Sequence, residues 1–415
     1  MIFSRLFLPL LLSLLVSFPS YVRSGEAPAH ETPFPLLPGL EGPVEFWKLI
    51  FTRYSTSQLI FHDTLEPTKI YKVMEVGEAS APRKLIQEER DKILKEHELG
   101  TDEQRVRAQR GVKERFASGL KLSRRYLEQM QRIFQEEGLP VDLTYLPLVE
   151  SAFDIHARSR AGALGMWQFM PATGRKFLRV SPMIDERRDP LESTRAAARF
   201  LKQNYQVFGN WPLAITAYNH GREGILRAVT EVDSKDLMEI IRRYQSPSFG
   251  FASKSFYAEF LAAVAVAKKA EEFFPTLEYH PALTLEELEM ERAVSIATLL
   301  KPTDISHKEF FEWNPALSPK LKEIPRGYRV KVPTDKRELF LAAYKQVVEP
   351  SSIKRNTPSI RESAVSWIRH RVAPGETLSQ IAKNYGISVR EIQRANRLSS
   401  AHRIAVGQQL KIPKS

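Results

Sequence analysis

The chain contains no cysteine. That excludes disulfides, thiolate zinc sites, thiol catalysis and a lipid anchor built on a cysteine of this sequence. Beyond the N-terminal segment, no stretch reaches the roughly 18 apolar residues of a membrane-spanning helix. No dense Lys/Arg run interleaved with aromatics occurs either, so nucleic acid is not an expected partner. A more local absence matters most. Between Asp154 and Asp185 there is not one acidic residue.

What is present bounds the rest. The 415 residues suffice for about two or three domains, and an apolar content of 43% supports ordinary cores. The formal charge of +12 and a pI near 9.6 favour an acidic partner, an anionic polymer or membrane surface. Residues 1–24 read as a secretory signal: Arg5, an apolar run from Leu6 to Phe18 broken by Pro9, Ser13 and Ser17, then Val22-Arg23-Ser24 as the cleavage site. The expected location is the periplasm, peptidoglycan-associated, with peripheral membrane association as a second option.

Residues 25–44 are Pro-rich and read as a flexible lead-in. Trp47, Ile50, Phe51 and Tyr54 have helical spacing; Leu59 to Phe61 and Ile70 to Val76 read as strands. The segments 85–98 and 103–137 are rich in Glu, Lys, Arg and Gln and are expected to be helical. Tyr126, Leu127, Met130, Ile133 and Phe134 form one stripe, stopped at Gly138 and Pro140.

The stretch 143–174 organises the chain. Glu150 follows the apolar residues Leu143, Tyr145, Leu146, Leu148 and Val149, and Pro147 opens a short helix that ends near it. An ionised carboxylate among apolar groups is costly, so such a group keeps its proton. A carboxylic acid protonated near neutral pH is the general acid that glycosidic cleavage needs. An isolated Glu after an apolar run would read as a helix-end surface residue; its neighbours here argue otherwise. Gly162 and Gly165 permit tight turns, and Gln168 offers donors and an acceptor for sugar hydroxyls. Trp167, Phe169 and Met170 read first as core. Most glycosidases need a second carboxylate beside the first, and the acid-free stretch supplies none nearby.

Asp189-Pro190-Leu191-Glu192 is a helix start and Asp189 is expected to be structural. Pro212 opens another helix, with Tyr218, Asn219 and His220 at its C-terminal end before Gly221; Phe256, Tyr257, Phe260 and Leu261 lie on a further helix running to Ala270. The second half carries a weak repeat. Both copies end in Gly-x-x-apolar-x-apolar-Pro, Gly327 to Pro333 and Gly407 to Pro413, each preceded by an Asn, Asn314 or Asn396. The second copy has two capping boxes, Thr377/Gln380 and Ser388/Glu391, and its expected order is strand, helix, helix, strand.

These motifs carry a resemblance. Glu150-Ser151 after an apolar run, Gly162-x-x-Gly165-x-x-Gln168-Phe169-Met170-Pro171, Ala217-Tyr218-Asn219 and then Tyr257 resemble the four ordered motifs of the soluble-type lytic transglycosylases. The second repeat copy resembles a LysM peptidoglycan-binding module. The resemblance implies a mainly α (α+β) chain, with a lysozyme-like catalytic domain bearing a small β-region and a C-terminal βααβ module. It implies cleavage of the β-1,4 bond between N-acetylmuramic acid and N-acetylglucosamine without water. Glu150 would protonate the glycosidic oxygen, then take the proton of the muramic acid O6 hydroxyl as it attacks C1. Ser159, Gln168, Met170, Tyr218 and Asn219 match positions that hold the sugars. Tyr257 would hydrogen-bond Glu150 or the substrate. No cofactor and no metal is implied; the partner is the peptidoglycan glycan strand. His220 stands where the family commonly has a small residue. The first repeat copy lacks the Gly-Glu-Thr turn, so its own LysM identity is left open.

The expected organisation is 1–24 signal, 25–98 extension, 99–280 catalytic domain, 283–335 degenerate LysM-like repeat, 336–366 helix and linker, and 367–414 LysM module. A hydrolysing muramidase of the goose-lysozyme kind and a non-catalytic wall-binding scaffold are the alternatives.

Overall fold

A computed structural model describes residues 32–348 except 80, and residues 367–413 except 397 and 399–403. The signal segment 1–24, residues 25–31 and the linker 351–366 lie outside the described residues. The chain forms two compact units, one through residue 348 and one from residue 349.

The first unit begins with chain that was expected to be loose. Phe34 and Leu40 are buried, and Phe34 packs edge-on against Phe260, ring centroids 5.1 Å apart. Residues 32–40 are therefore held by apolar contact that Pro content does not reveal. Helix α1 (Glu41–Thr52) buries Val44, Phe46, Trp47, Ile50 and Phe51. Strands β1 (Gln58–Asp63) and β2 (Ile70–Glu75) follow, then helix α2 (Arg83–Glu96). Strand β3 (Val106–Arg110) completes an antiparallel sheet of order β2-β1-β3. The helix expected through 103–137 is thus a strand at its start. Central β1 is buried at Leu59, Ile60 and Phe61 and has two edges to pair; Val106, 1% exposed, joins its core. Charge-rich composition carries no sign of that long-range pairing.

Helices α3 (Lys113–Ser123) and α4 (Leu127–Glu136) come next. The α4 stripe Met130, Ile133, Phe134 is buried as expected, and Gly138 leaves the helix at φ +71°. A 3-10 turn at Val141–Tyr145 leads into α5 (Leu146–Glu150). After a long loop come α6 (Pro171–Gly174) and α7 (Pro190–Phe208), whose N-cap Asp189 accepts from the amides of Leu191 and Glu192. Helix α8 (Trp211–His220) is capped by Asn210. Then follow α9 (Arg222–Val232), α10 (Leu237–Arg243), α11 (Phe251–Lys268) and α12 (Ala270–Phe273). The long α11 stops at Lys268, and it packs against α1, α5 and α8.

The same unit continues with β4 (Leu285–Glu289), β5 (Val294–Ser295), α13 (Ile296–Leu300), α14 (His307–Trp313), β6 (Glu323–Ile324), β7 (Arg329–Pro333) and α15 (Arg337–Val348). Strands β4 and β7 pair antiparallel, as do β5 and β6. Phe340 of α15 stacks on Phe310 at 6.3 Å, so that helix shares the repeat's core. So does Ile184, from the loop before α7.

The second unit has β8 (Trp367–Arg371), α16 (Leu378–Asn384), α17 (Val389–Asn396) and β9 (Gln409–Pro413), with β8 and β9 antiparallel. Val372, Leu378, Ile381, Ile392, Leu410 and Ile412 form its own core. Both capping boxes form. One hydrogen-bond device recurs in the two copies. Asn396 donates to the Ile392 and Lys411 carbonyls and accepts from the Lys411 amide; Asn314 does the same with Phe310 and Lys331.

Candidate active site

Glu150 is the last residue of α5, and the chain reverses immediately after it. Ala152 and Phe153 take φ of +57° and +60°, a left-handed conformation unfavourable for residues with a Cβ. The amides of Ser151 and Phe153 both donate to the Pro147 carbonyl, and Ser151 Oγ donates to the Met166 carbonyl at 2.8 Å. Ala152 and Phe153 are buried, so packing holds the turn. Strain of this kind clusters at functional sites.

The Glu150 side chain is half-buried. Protein surrounds it densely while part of it still meets solvent. Burial pushes its carboxyl from the ordinary 4.5 up to about 8. No hydrogen bond to that carboxyl and no cation beside it is seen among the described residues.

The loop facing it is built from its own backbone. Leu164 bridges both Arg158 and Phe169, and Ser159 Oγ accepts from the Ala163 amide at 2.9 Å. Gly165, at φ +80°, passes so close to α7's lead-in that a Cβ there would sit 1.8 Å from the Arg187 carbonyl oxygen. Gln168 is itself left-handed at φ +48°, and its amide donates to the carbonyls of Ala157 (3.1 Å) and Gly165 (2.8 Å). Its donors thus lock the loop. Arg187 is the residue that sequence reasoning missed here. Its guanidinium pairs with Asp185 at 2.7 Å and donates to the Gly162 and Phe169 carbonyls. It sits inside the charged string Glu186-Arg187-Arg188-Asp189, where nothing in the pattern singles it out.

Trp167 is core, as expected: fully buried, its indole donating to Thr194 Oγ1 at 3.0 Å and its ring stacked on Phe134. Met170 is 42% exposed at the start of α6. Tyr218, at the end of α8, donates its hydroxyl to the Trp167 carbonyl at 2.8 Å. Burial, and then the nearby Glu150 charge, push that phenol well up. Asn219 is exposed, and its Oδ1 lies 3.4 Å from Ser253 Oγ, which donates to it. His220 Nδ1 lies 3.1 Å from the same hydroxyl; burial and Arg227 lower its pKa, so it is neutral near pH 7.

Tyr257 is placed otherwise than the resemblance implies. It is wholly buried, and its hydroxyl donates to the Pro35 carbonyl at 2.9 Å. The Pro-rich segment laid over α11 takes the donor expected for Glu150 or the substrate. The structure therefore brings Glu150 and Tyr218 together, with Ser159 and Gln168 in the loop that Tyr218 ties down through Trp167. It also adds a second carboxyl. Glu259, on α11, is half-buried and within reach of the Glu150 charge. No group of three or more metal-ligating side chains occurs among the described residues, and no described helix is long and apolar enough to cross a membrane.

A largely buried, protonated carboxylic acid can donate to an ether oxygen and then act as a base. Comparison with known proteins bears on which ether. A transglycosylase SLT domain matches residues 131–241 and a LysM domain matches residues 370–413. The membrane-bound lytic murein transglycosylase D of Escherichia coli K12 is 28% identical over 291 residues, 67% of this chain; the protein of that name from strain CFT073 matches equally. The chain spans 61% of the length of those relatives. A putative tributyltin chloride resistance protein of Alteromonas sp. strain M-1 is 31% identical over 162 residues, 39% of this chain and 76% of that protein. Among solved structures, the 70 kDa soluble lytic transglycosylase of Escherichia coli aligns with a TM-score of 0.30 at 23% identity, over 37% of this chain and 25% of that one.

Proposed function

We propose that this chain, which belongs to the transglycosylase SLT-domain family, is a peptidoglycan lytic transglycosylase. It breaks the β-1,4 bond between N-acetylmuramic acid and N-acetylglucosamine. The observation that carries this reading is Glu150: one carboxyl at the end of a short helix, densely surrounded by protein, its pKa pushed up to about 8 by burial.

The steps balance on that one group. The Glu150 carboxyl gives its proton to the glycosidic oxygen as the C1–O bond breaks. The resulting carboxylate then takes the proton of the muramic acid O6 hydroxyl as O6 bonds to C1, closing a 1,6-anhydro ring and restoring the acid. A raised pKa serves both halves, since the group is protonated at rest and basic once ionised. Water takes no part. Tyr218, Asn219, Ser159, Gln168 and Met170 are the residues proposed to hold the glycan.

Residues 99–280 are the proposed catalytic domain and 367–414 the proposed glycan-binding module, with 283–335 a LysM-like repeat built against the former. The reading places the protein outside the inner membrane, on the wall. Its support is the signal-like pattern of residues 1–24 and a +12 charge suited to an anionic polymer.

Digestion of purified peptidoglycan with mass analysis of the fragments tests the proposal. Anhydro products, one water lighter than hydrolytic ones, are expected, and Glu150→Gln should release none while still binding the wall. Full-weight reducing ends would make the chain a hydrolase. Intact binding without cleavage would make it a scaffold.

A further inference from the structure

The stretch after Asp154 offers Glu150 no acidic partner, but the fold brings a carboxyl from more than a hundred residues away. Phe256, Glu259, Ala263 and Val266 share one face of α11 at helical spacing, and the other three are buried. Glu259 thus takes a core-facing position on the helix that packs against α5 and α8, the helices that carry Glu150 and Tyr218. Among the described residues its carboxyl has neither an ion-pair partner nor a hydrogen bond.

We propose that Glu259 is the second carboxyl of the cleft, a positioning residue that acts on the proton of Glu150 rather than on the sugar. The inference rests on the transglycosylase reading above. The ionisable groups on elements packed against α11 are few. They are Glu41, Glu45 and Lys48 on α1, Asp142 and Tyr145 in the 3-10 turn, Glu150 on α5, Tyr218 and His220 on α8, and Glu271 and Glu272 on α12. Lys48 pairs with Glu45, and Asp142 with Lys268 of α11 itself. Lys254, also on α11, is half-buried with its pKa lowered by burial. Among the described residues, Glu150 is the one charge that acts on Glu259. Burial first, and then the Glu150 charge, push Glu259 up to about 8.

Two such carboxyls titrate as a pair. Below pH 8 both are protonated. Above it the first proton lost leaves one shared between two sites of similar pKa, and repulsion holds that one to higher pH. Glu150 therefore stays a usable acid over a wider range than it would alone. A protonated Glu259 is no base, which argues against its activating water.

The test uses full-length protein on purified peptidoglycan, after the wild type has been shown to give anhydro products. Failure at that step would concern the function and not Glu259. Rates of wild type and Glu259→Gln are each normalised at pH 6.5. At pH 9 the variant should keep about one fifth of the wild type's relative kcat/KM, the ratio expected when a shared proton is replaced by a single site near 8. Superimposable profiles, or an equal loss at every pH, would overturn the proposal. So would a change in the ratio of anhydro to reducing ends, which would make Glu259 a base. A second measurement needs no activity. In carboxyl 13C NMR, the Glu259 titration should lose its upper step and move to lower pH in Glu150→Gln; an unchanged titration would count against the pair.

Discussion

The ammonium of Lys331 lies 2.9 Å from Asp189 Oδ2, and both side chains are wholly closed to solvent. The same ammonium is 3.1 Å from Glu192 and 3.5 Å from Glu287. Asp189 caps α7 and Lys331 lies on β7, so this cluster fastens the first repeat to the start of the helix behind the active loop. Burial alone would lower the pKa of Lys331; the three carboxylates outweigh it and raise it.

Lys331→Met keeps most of the side chain's length and removes its charge. Asp189, wholly buried, is left without its cation while Glu192 and Glu287 keep Arg195, a loss of about 3–5 kcal/mol for a broken buried pair. Urea unfolding at pH 7 measures it. A loss under about 1 kcal/mol would mean that water or Arg329, which also pairs with Glu192 at 2.6 Å, takes over.

Gly165→Ala tests the active loop. The added methyl meets the Arg187 carbonyl oxygen at 1.8 Å and sits on a left-handed residue, so the loop must move. A displacement of about 1 Å at a reacting site costs about a hundredfold in rate. Peptidoglycan cleavage should fall by that order with the far-ultraviolet dichroism unchanged. Near-normal rates would show that the 157–170 loop does not set the geometry around Glu150.

Local chemistry was legible in the sequence and tertiary pairing was not. Asp189-Pro190 and Pro147 start helices where their backbone chemistry says, and the Asn at the end of each repeat is found clamping the last strand. The stripe on α4 is buried because its spacing is that of a helix face. By contrast, β3 depends on a partner some 50 residues away, and its own residues look like those of a helix. Arg187, the left-handed turn at Ala152 and Phe153, and the Glu259 position next to Glu150 all depend on which elements meet. A motif fixes the identity of Gln168 and Tyr257 but not whether their donors face a ligand or the backbone.

Tyr257→Phe separates those two uses of one hydroxyl. Among the described residues its one hydrogen-bond partner is the Pro35 carbonyl. Loss of that bond should cost about 1 kcal/mol of stability and leave kcat on purified peptidoglycan within a few fold of wild type. A large fall in kcat with little loss of stability would return the hydroxyl to Glu150 or the sugar.

The raised pKa of Glu150 also makes a prediction about stability, with a definite sign. In the unfolded chain the group titrates near 4.5, and in the folded protein near 8. The folded state thus holds a proton that the unfolded chain has released across that window. The stability linked to it is complete below pH 4.5 and is lost as pH rises towards 8. Glu150→Gln has no proton to lose. At pH 4.5 the two proteins should have similar stability; at pH 7 the variant should be more stable by roughly 3 kcal/mol, at 1.4 kcal/mol per pH unit. Urea unfolding at both pH values reads the difference directly. A gap that is constant with pH would mean the carboxyl is not held protonated by burial, and general-acid catalysis by Glu150 would then lack its physical basis. A gap that opens as predicted would show that the group proposed to do the chemistry is held in place at a cost to the fold.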